Sequence, residues 1–372
     1  MARQLKIVVD ASRDLISELP VEIKERILEC LPTRDAARTA MLSRHWNDVW
    51  LQHERLTFDS EFVQSFQQSQ YDDDRTPVNI INNILFSRAG PIKKFTLQRD
   101  GEIDPLPLPQ QYDIDRWCIF LSRNGVEELN LCLYSDIGPD YQLQFCLLSC
   151  RTIKKLIVDG VFINLPVNAC GIFFNVTSLA FFNVTFKRSV NGIVSSISIP
   201  KLEKLVLEDC EGINKFEISP PKLEILSVIH SIDDYVDSRW LAPHLKTIKT
   251  LWLCGYSLSF RRKDDQENAS RLLEDGNGCL FIQELHMLNS IKIEAFNHQS
   301  ALEMLFMKTL LSKSPALERV VIVKSWHRNA FEMRKIQGEF ERFPRASPNA
   351  QIVCIGNDSA HMSEDGMRYP WC

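Results

Sequence analysis

The sequence predicts an α/β protein: an N-terminal cluster of three helices, then a solenoid of parallel strands bent into a horseshoe, then a C-terminal α/β cap. Three observations lead there. Residues 14–50 are punctuated like short amphipathic helices. From residue 92 onward an apolar-x-x-apolar-x-apolar pattern keeps returning. Beyond residue 299 two helical stretches alternate with strand-like ones. At 372 residues the chain exceeds one ordinary core, so two or three folding units are expected.

In the N-terminal piece Pro20 suits a first helical turn, where its missing N–H costs little. Ile23, Ile27, Leu28 and Leu31 then form one apolar stripe, with Glu22, Lys24, Glu25 and Glu29 off it. Pro32 ends that helix. Thr33 is expected to cap the next one, which Asp35 favours through the helix dipole. Ala36, Ala37 and Ala40 give it a thin surface for close packing. Ser43 is expected to cap a third helix, on which Trp46 and Trp50 lie one turn apart. A cluster this small buries too little to be stable alone, and apolar side chains on its outer helices call for a partner.

Residues 59–77 are Gln-rich and acidic and lack a core pattern, which predicts a surface connection or a polar helix.

The repeating pattern is carried by Ile92/Phe95/Leu97, Val126/Leu129/Leu131, Ile153/Leu156/Val158, Val176/Leu179/Phe181 and Leu202/Leu205/Leu207. It continues as Leu223/Leu226/Val228, Ile248/Leu251/Leu253, Ile282/Leu285/Met287 and Leu317/Val320/Ile322. From Leu129 to Leu251 the middle residues step by 21 to 27 positions, the period of a leucine-rich repeat. Each apolar-x-apolar pair is a short strand with both side chains inward. One unit cannot bury its own face, whereas stacked units share a core. In the best copy, LEKLVLEDCEGI, Cys210 is expected to be a small buried residue. The charged run 261–278 reads as an inserted loop; within it Arg261-Arg262-Lys263 is read as solvated, because acids follow at once.

At the C-terminal end, Leu302, Leu305, Phe306, Leu310 and Leu311 are expected on one helix face, ended by Ser314-Pro315. A second helix over 331–343 and a strand from Gln351 to Ile355 follow.

Net charge of -5 argues against general nucleic-acid binding, which needs a basic face. The longest apolar stretch, 171–186, is too short for a membrane span and is broken by Asn175, Thr177 and Asn183. The eleven cysteines form no CxxC pair, and no zinc spacing or other metal set is found. Residues 1–10 carry no signal-peptide pattern, so reduced thiols in the nucleus, the cytoplasm or both are expected. No Gly-x-Ser-x-Gly elbow, phosphate loop or His-Glu-x-x-His occurs, so neither a catalytic site nor a cofactor is expected.

Residues 14–50, DLISELPVEIKERILECLPTRDAARTAMLSRHWNDVW, resemble the plant-type F-box over a long and specific pattern. His45 stands where that family often has Arg, and Ala37 where it often has Val. The LxxLxL copies are similar to leucine-rich repeats of the cysteine-bearing kind. Leu310-Leu311, Ser314-Pro315, Leu317-Glu318, Val320, Ile322, 343–348 (FPRASP) and Ile352 resemble the FBD region. The chain thus resembles the plant F-box/FBD/leucine-rich-repeat family.

That resemblance implies an F-box over 11–57, a linker over 58–88, leucine-rich repeats over 89–280, an FBD-like region over 281–356 and a flexible tail over 357–372. It implies docking on a Skp-type adaptor, and through it a cullin, by Leu15, Leu19, Pro20, Ile23, Leu28, Leu31 and Pro32. The repeats would bind an unknown protein substrate, and the ligase chemistry would belong to other subunits. A non-degradative interaction scaffold and a small-molecule-dependent receptor remain the alternatives.

Overall fold

A computed structural model describes residues 14–62, 76–98, 109–133, 141–164, 171–187, 195–212, 216–218, 220–229, 245–254, 284–296, 301–324 and 337–355. The charged run 261–278, Ile282, Phe331, Ile336 and the tail 357–372 lie outside these residues.

The chain opens with α1 (Val21–Glu29), α2 (Thr33–Thr39) and α3 (Arg44–Gln52). It passes directly into β1 (Arg55–Phe58). Next come α4 (Pro77–Phe86), β2 (Lys94–Leu97), α5 (Gln111–Arg123), β3 (Glu128–Cys132), β4 (Tyr141–Gln142) and α6 (Phe145–Leu148). β5 (Lys155–Asp159), β6 (Val161–Asn164), β7 (Ser178–Phe182), β8 (Thr185–Lys187), β9 (Ser195–Ile197) and β10 (Lys204–Glu208) follow. β11 (Phe216–Ile218), β12 (Ile225–Ile229), β13 (Thr250–Cys254), β14 (Ser290–Phe296), α7 (Ala301–Lys313), β15 (Arg319–Lys324) and β16 (Gln351–Ile355) complete the described elements.

Eleven of these strands form one sheet in the order β1-β2-β3-β5-β7-β10-β12-β13-β14-β15-β16, and every pair is parallel. Its register is continuous through the inward rows and shifts once, between Ile293 and Phe296. Leu56, Phe95, Leu129, Leu156, Leu179, Leu205, Leu226, Leu251, Ile291, Val320 and Ile352 stand in one row across the strands. The apolar residue two positions on forms a second row, and both rows face a core that runs from Leu28 to Ala350. Fully burying each such side chain stabilises the fold by ~1.5–3 kcal/mol. After β5, β7 and β10 the chain turns sharply through a left-handed residue, at Gly160 (φ 71°), Asn183 (φ 48°) and Asp209 (φ 51°). Glycine and Asn/Asp tolerate that conformation best. The Asn183 amide also donates to Asp159 Oδ1 at 2.9 Å, tying adjacent turns together.

Seven of the nine repeat copies fall on strands as expected up to β13, and the copy at Leu317/Val320/Ile322 falls on β15. The eighth is corrected. Met287 is exposed, the strand begins at Ser290, and its inward pair is Ile291/Ile293 behind Leu288. The six-residue pattern fits twice in this apolar stretch, and only strand pairing selects the second fit. A further unit precedes the first copy: β1, with Leu56 and Phe58 wholly buried.

The expected linker is also revised. Within 58–88, Phe58 belongs to the sheet, and α4 buries Ile81 and Leu85 in the common core. Thr76 caps α4 by accepting from Asn79 N. The C-terminal region extends the same sheet as its last three strands rather than closing it as a separate cap. α7 is buried on more than one side: Glu303, Phe306, Met307, Leu310 and Leu311 are all covered. A short helix at 337–341 buries Phe340.

The first helices are locked to the solenoid. Thr33 does not cap α2; its Oγ1 accepts from Thr57 N at 2.9 Å. Ala89 N donates to Leu51 O at 3.0 Å, and Gly90 passes so close that an added Cβ would stand 3.0 Å from Gln52 Cα. The Arg88 guanidinium stacks on Trp50 at 4.5 Å and donates to the His53 carbonyl. Burial pushes the His53 imidazole down to about 4, helped by the Arg88 charge.

The sheet's other face changes character along its length. Between the two core rows, the outward residues are Thr57, Thr96 and Asn130 at the helical end. From Ala180 through Val206, Ser227, Trp252 and Lys292 to Val321, every outward residue is at most 3% exposed. Lys292 Nζ lies 3.9 Å from the Trp252 ring and 3.5 Å from Glu294. Beside it, burial pushes the Glu208 carboxyl up to about 7, with Asp209, Glu294 and Asp159 adding repulsion.

Two outcomes follow. Leu205→Asp places a charge in the ladder between Leu179 and Leu226 and should cost about 4 kcal/mol or more by urea unfolding; an unchanged midpoint would put the register wrong. Glu208 binds its proton more tightly folded than unfolded, so its contribution is complete below its ordinary value and is lost as pH rises through about 7. Between pH 5 and pH 8, Glu208→Gln should therefore lose less stability than wild type; equal losses would exclude the effect.

Candidate adaptor-docking surface

The three N-terminal helices have an inner and an outer face. Inside, α1 contributes Leu28 and Lys24, both at most 5% exposed, against Ala36 of α2 and Trp46, Val49 and Trp50 of α3. Lys24 was expected off the apolar stripe. It is buried because its Nζ donates to Ser17 O at 2.7 Å and its stem lies by the Trp46 ring, 5.7 Å from Nζ to centroid. Ser43 caps α3 as expected, accepting from Trp46 N at 3.4 Å, and it also accepts from Ser17 Oγ at 2.9 Å. Asp14 opens the preceding turn by accepting from Ser17 N at 3.1 Å. Hydrogen bonds from Ser17 hold that carboxyl below the usual carboxylate range. The turn sends Leu15 and Ile16 outward.

The outer face is apolar and uncovered. Leu15 (55%), Ile16 (58%), Val21 (49%), Ile23 (49%), Met41 (87%) and Leu42 (59%) are all exposed. Of the residues the sequence points to, Leu15, Pro20, Ile23 and Pro32 are exposed, while Leu19 and Leu31 are half-buried. Leu28 is the exception: at 1% exposed it belongs to the inner core. The stripe Ile23/Ile27/Leu28/Leu31 splits because α1 rests on α3 along its Lys24–Leu28 edge, turning Ile23 to solvent. Ile16, Val21, Met41 and Leu42 were missed by the sequence reading. Met41-Leu42 offered a signal: an apolar pair directly before a capping serine sits in a turn and has no helix face to join.

Behind this surface a cleft of about 590 Å³ separates α1 from the first strands. Its walls are ion pairs, among them Arg55–Glu29 at 3.8 Å, Lys93–Glu54 at 2.7 Å and Lys94–Glu128 at 3.7 Å. Such a lining lacks the apolar walls that hold most small ligands. No described helix is long and apolar enough to cross a membrane.

Comparison with known proteins agrees with this architecture. An F-box domain match covers residues 16–58, the three helices together with β1. The F-box/FBD/LRR-repeat protein At1g13570 of Arabidopsis thaliana is 28% identical, over 92% of this chain and 99% of its own length. The F-box/FBD/LRR-repeat protein At2g04230 of the same plant is 25% identical, over 60% of this chain and 54% of its own. The F-box/LRR-repeat protein At3g03360 of that plant is 28% identical, over 64% and 47%. With an F-box domain at 16–58, a parallel repeat sheet and this likeness along nearly its whole length, the chain is similar to the F-box/FBD/LRR-repeat proteins of Arabidopsis thaliana.

Proposed function

We propose that the chain is the substrate-recognition subunit of a Skp–cullin–F-box ubiquitin ligase. The F-box docks on the Skp-type adaptor, and through it on a cullin, while the repeats hold a target protein. One observation carries this reading: six large apolar side chains stand exposed on an F-box whose inner face is already used by its own core. Exposed apolar surface at this density marks an interface. Leu15, Leu19, Pro20, Ile23, Leu31 and Pro32 form the expected contact, extended by Ile16, Val21, Met41 and Leu42. Leu28 acts from beneath by shaping α1.

The chain works without chemistry of its own in this reading. It raises the effective concentration of the target near a charged ubiquitin donor. Two of the thiols fit that role: burial pushes Cys210 up to about 12 and Cys354 up to about 11, which leaves these two protonated and poorly nucleophilic. Cys210 Sγ donates to Phe181 O at 3.4 Å, as a core residue would. The rigid joint through Thr33, Arg88 and Gly90 supports a fixed distance between adaptor and cargo. The reading places the protein in the nucleus, the cytoplasm or both.

Ile23→Asp should weaken adaptor binding in a pull-down or titration at least about tenfold, with the unfolding midpoint near wild type because the site is exposed. Leu28→Ala should instead lower the midpoint, by about 2–5 kcal/mol of stability. Undiminished adaptor binding by Ile23→Asp, Met41→Asp and the Leu19→Ala/Pro20→Ala pair would defeat the docking assignment.

A further inference from the structure

Apart from Met287, the large apolar side chains exposed among the described residues fall in two groups. The first is the F-box surface. The second is Phe86, Tyr112, Ile119, Phe145 and Phe174, on four consecutive connecting elements: α4, α5, α6 and the 171–175 turn. These elements lie side by side. Trp117 Nε1 donates to Asn82 Oδ1 at 2.7 Å, Gln144 Nε2 donates to Asp115 Oδ1 at 2.6 Å, and Phe173 N donates to Leu148 O at 2.7 Å. On α5, Tyr112, Arg116, Ile119 and Arg123 follow at steps of four, three and four, which sets them on one helix face. All four are exposed.

The cations of this surface differ from those at the starts of the sheet strands. Along the sheet edge, Lys93, Lys94, Lys154, Lys155 and Lys249 each stand within salt-bridge distance of a glutamate. Arg116, Arg123, Arg151 and Lys201 have no such ion pair among the described residues, in a chain whose net charge is -5. Three of them attend aromatic rings instead, and Lys201 also donates to Asn175 Oδ1 at 2.6 Å. The Arg116 guanidinium lies 4.6 Å from the Phe86 centroid, while Arg151 and Lys201 lie 5.8 and 5.9 Å from that of Phe174. A guanidinium held flat on a ring keeps its N–H edge free for a carboxylate.

We infer that this surface docks an acidic segment of a partner protein, one that carries aliphatic or aromatic side chains between its carboxylates. The unneutralised cations select carboxylates, and the exposed rings and Ile119 select the apolar side chains between them. The surface shares no residue with the F-box patch, so the two can be occupied together and tested apart.

The test uses the full chain and a labelled peptide in which pairs of Glu alternate with Leu and Phe, read by fluorescence anisotropy. Arg116→Glu with Arg123→Glu should weaken binding at least about tenfold, and Arg116→Gln with Arg123→Gln should weaken it in the same direction. Lys154→Glu, on the sheet edge, should leave it unchanged. A peptide of Glu alone should bind the wild type at least about tenfold more weakly. The inference fails if both Arg116/Arg123 double variants bind the peptide as wild type does. It fails equally if Glu alone suffices, or if single-stranded RNA or phosphatidylserine vesicles bind this surface more tightly than the peptide.

Discussion

The whole molecule depends on one constraint: a strand of this kind buries its two inward side chains only if neighbouring strands in register, or helices at an end of the stack, cover both its sides. Leu205 is covered because Leu179 and Leu226 flank it, and the same holds along the row from Phe95 to Val320. Stability is therefore shared between neighbours rather than held in any one repeat. Such a stack has two ends to close, and the F-box helices stand at the N-terminal one.

The F-box closes that end by becoming part of the stack. β1 is its last element and the first strand of the sheet, and a single core extends from Leu28 and Trp46 to the C-terminal strands. The helices spend their inner side chains on this union, among them Leu28, Ala36, Trp46 and Trp50. What remains outside, from Leu15 to Leu42, is apolar surface with no partner in the described fold. Closure of the solenoid and display of the exposed apolar surface are two sides of the same three helices. The Thr33–Thr57 hydrogen bond and the close pass of Gly90 keep those two sides in fixed relation.

The sheet's open face has its own division. Near the F-box it offers Thr57, Thr96 and Asn130, whereas farther on Trp252 and Val321 are covered and Lys292 is buried with them. A buried ammonium needs compensation, and Lys292 finds it in the Trp252 ring and Glu294. The same enclosure raises Glu208, so acidity and burial are coupled on this face.

The sequence by itself determined the repeat, the helical punctuation at Pro20, Pro32 and Ser43, and the inward role of Cys210. Each rests on local chemistry or on a period, and neither needs knowledge of distant neighbours. Tertiary structure alone decided which face of α1 turns inward, because Ile23 and Leu28 lie at opposite sides of one broad apolar stripe until α3 lies against one of them. It also buried Lys24, turned Thr33 from a cap into a tie, moved the eighth repeat to Ile291/Ile293 and drew α4 into the core. In each case several local solutions were equally good, and only pairing with a strand or helix far away in the chain made one of them lowest in free energy.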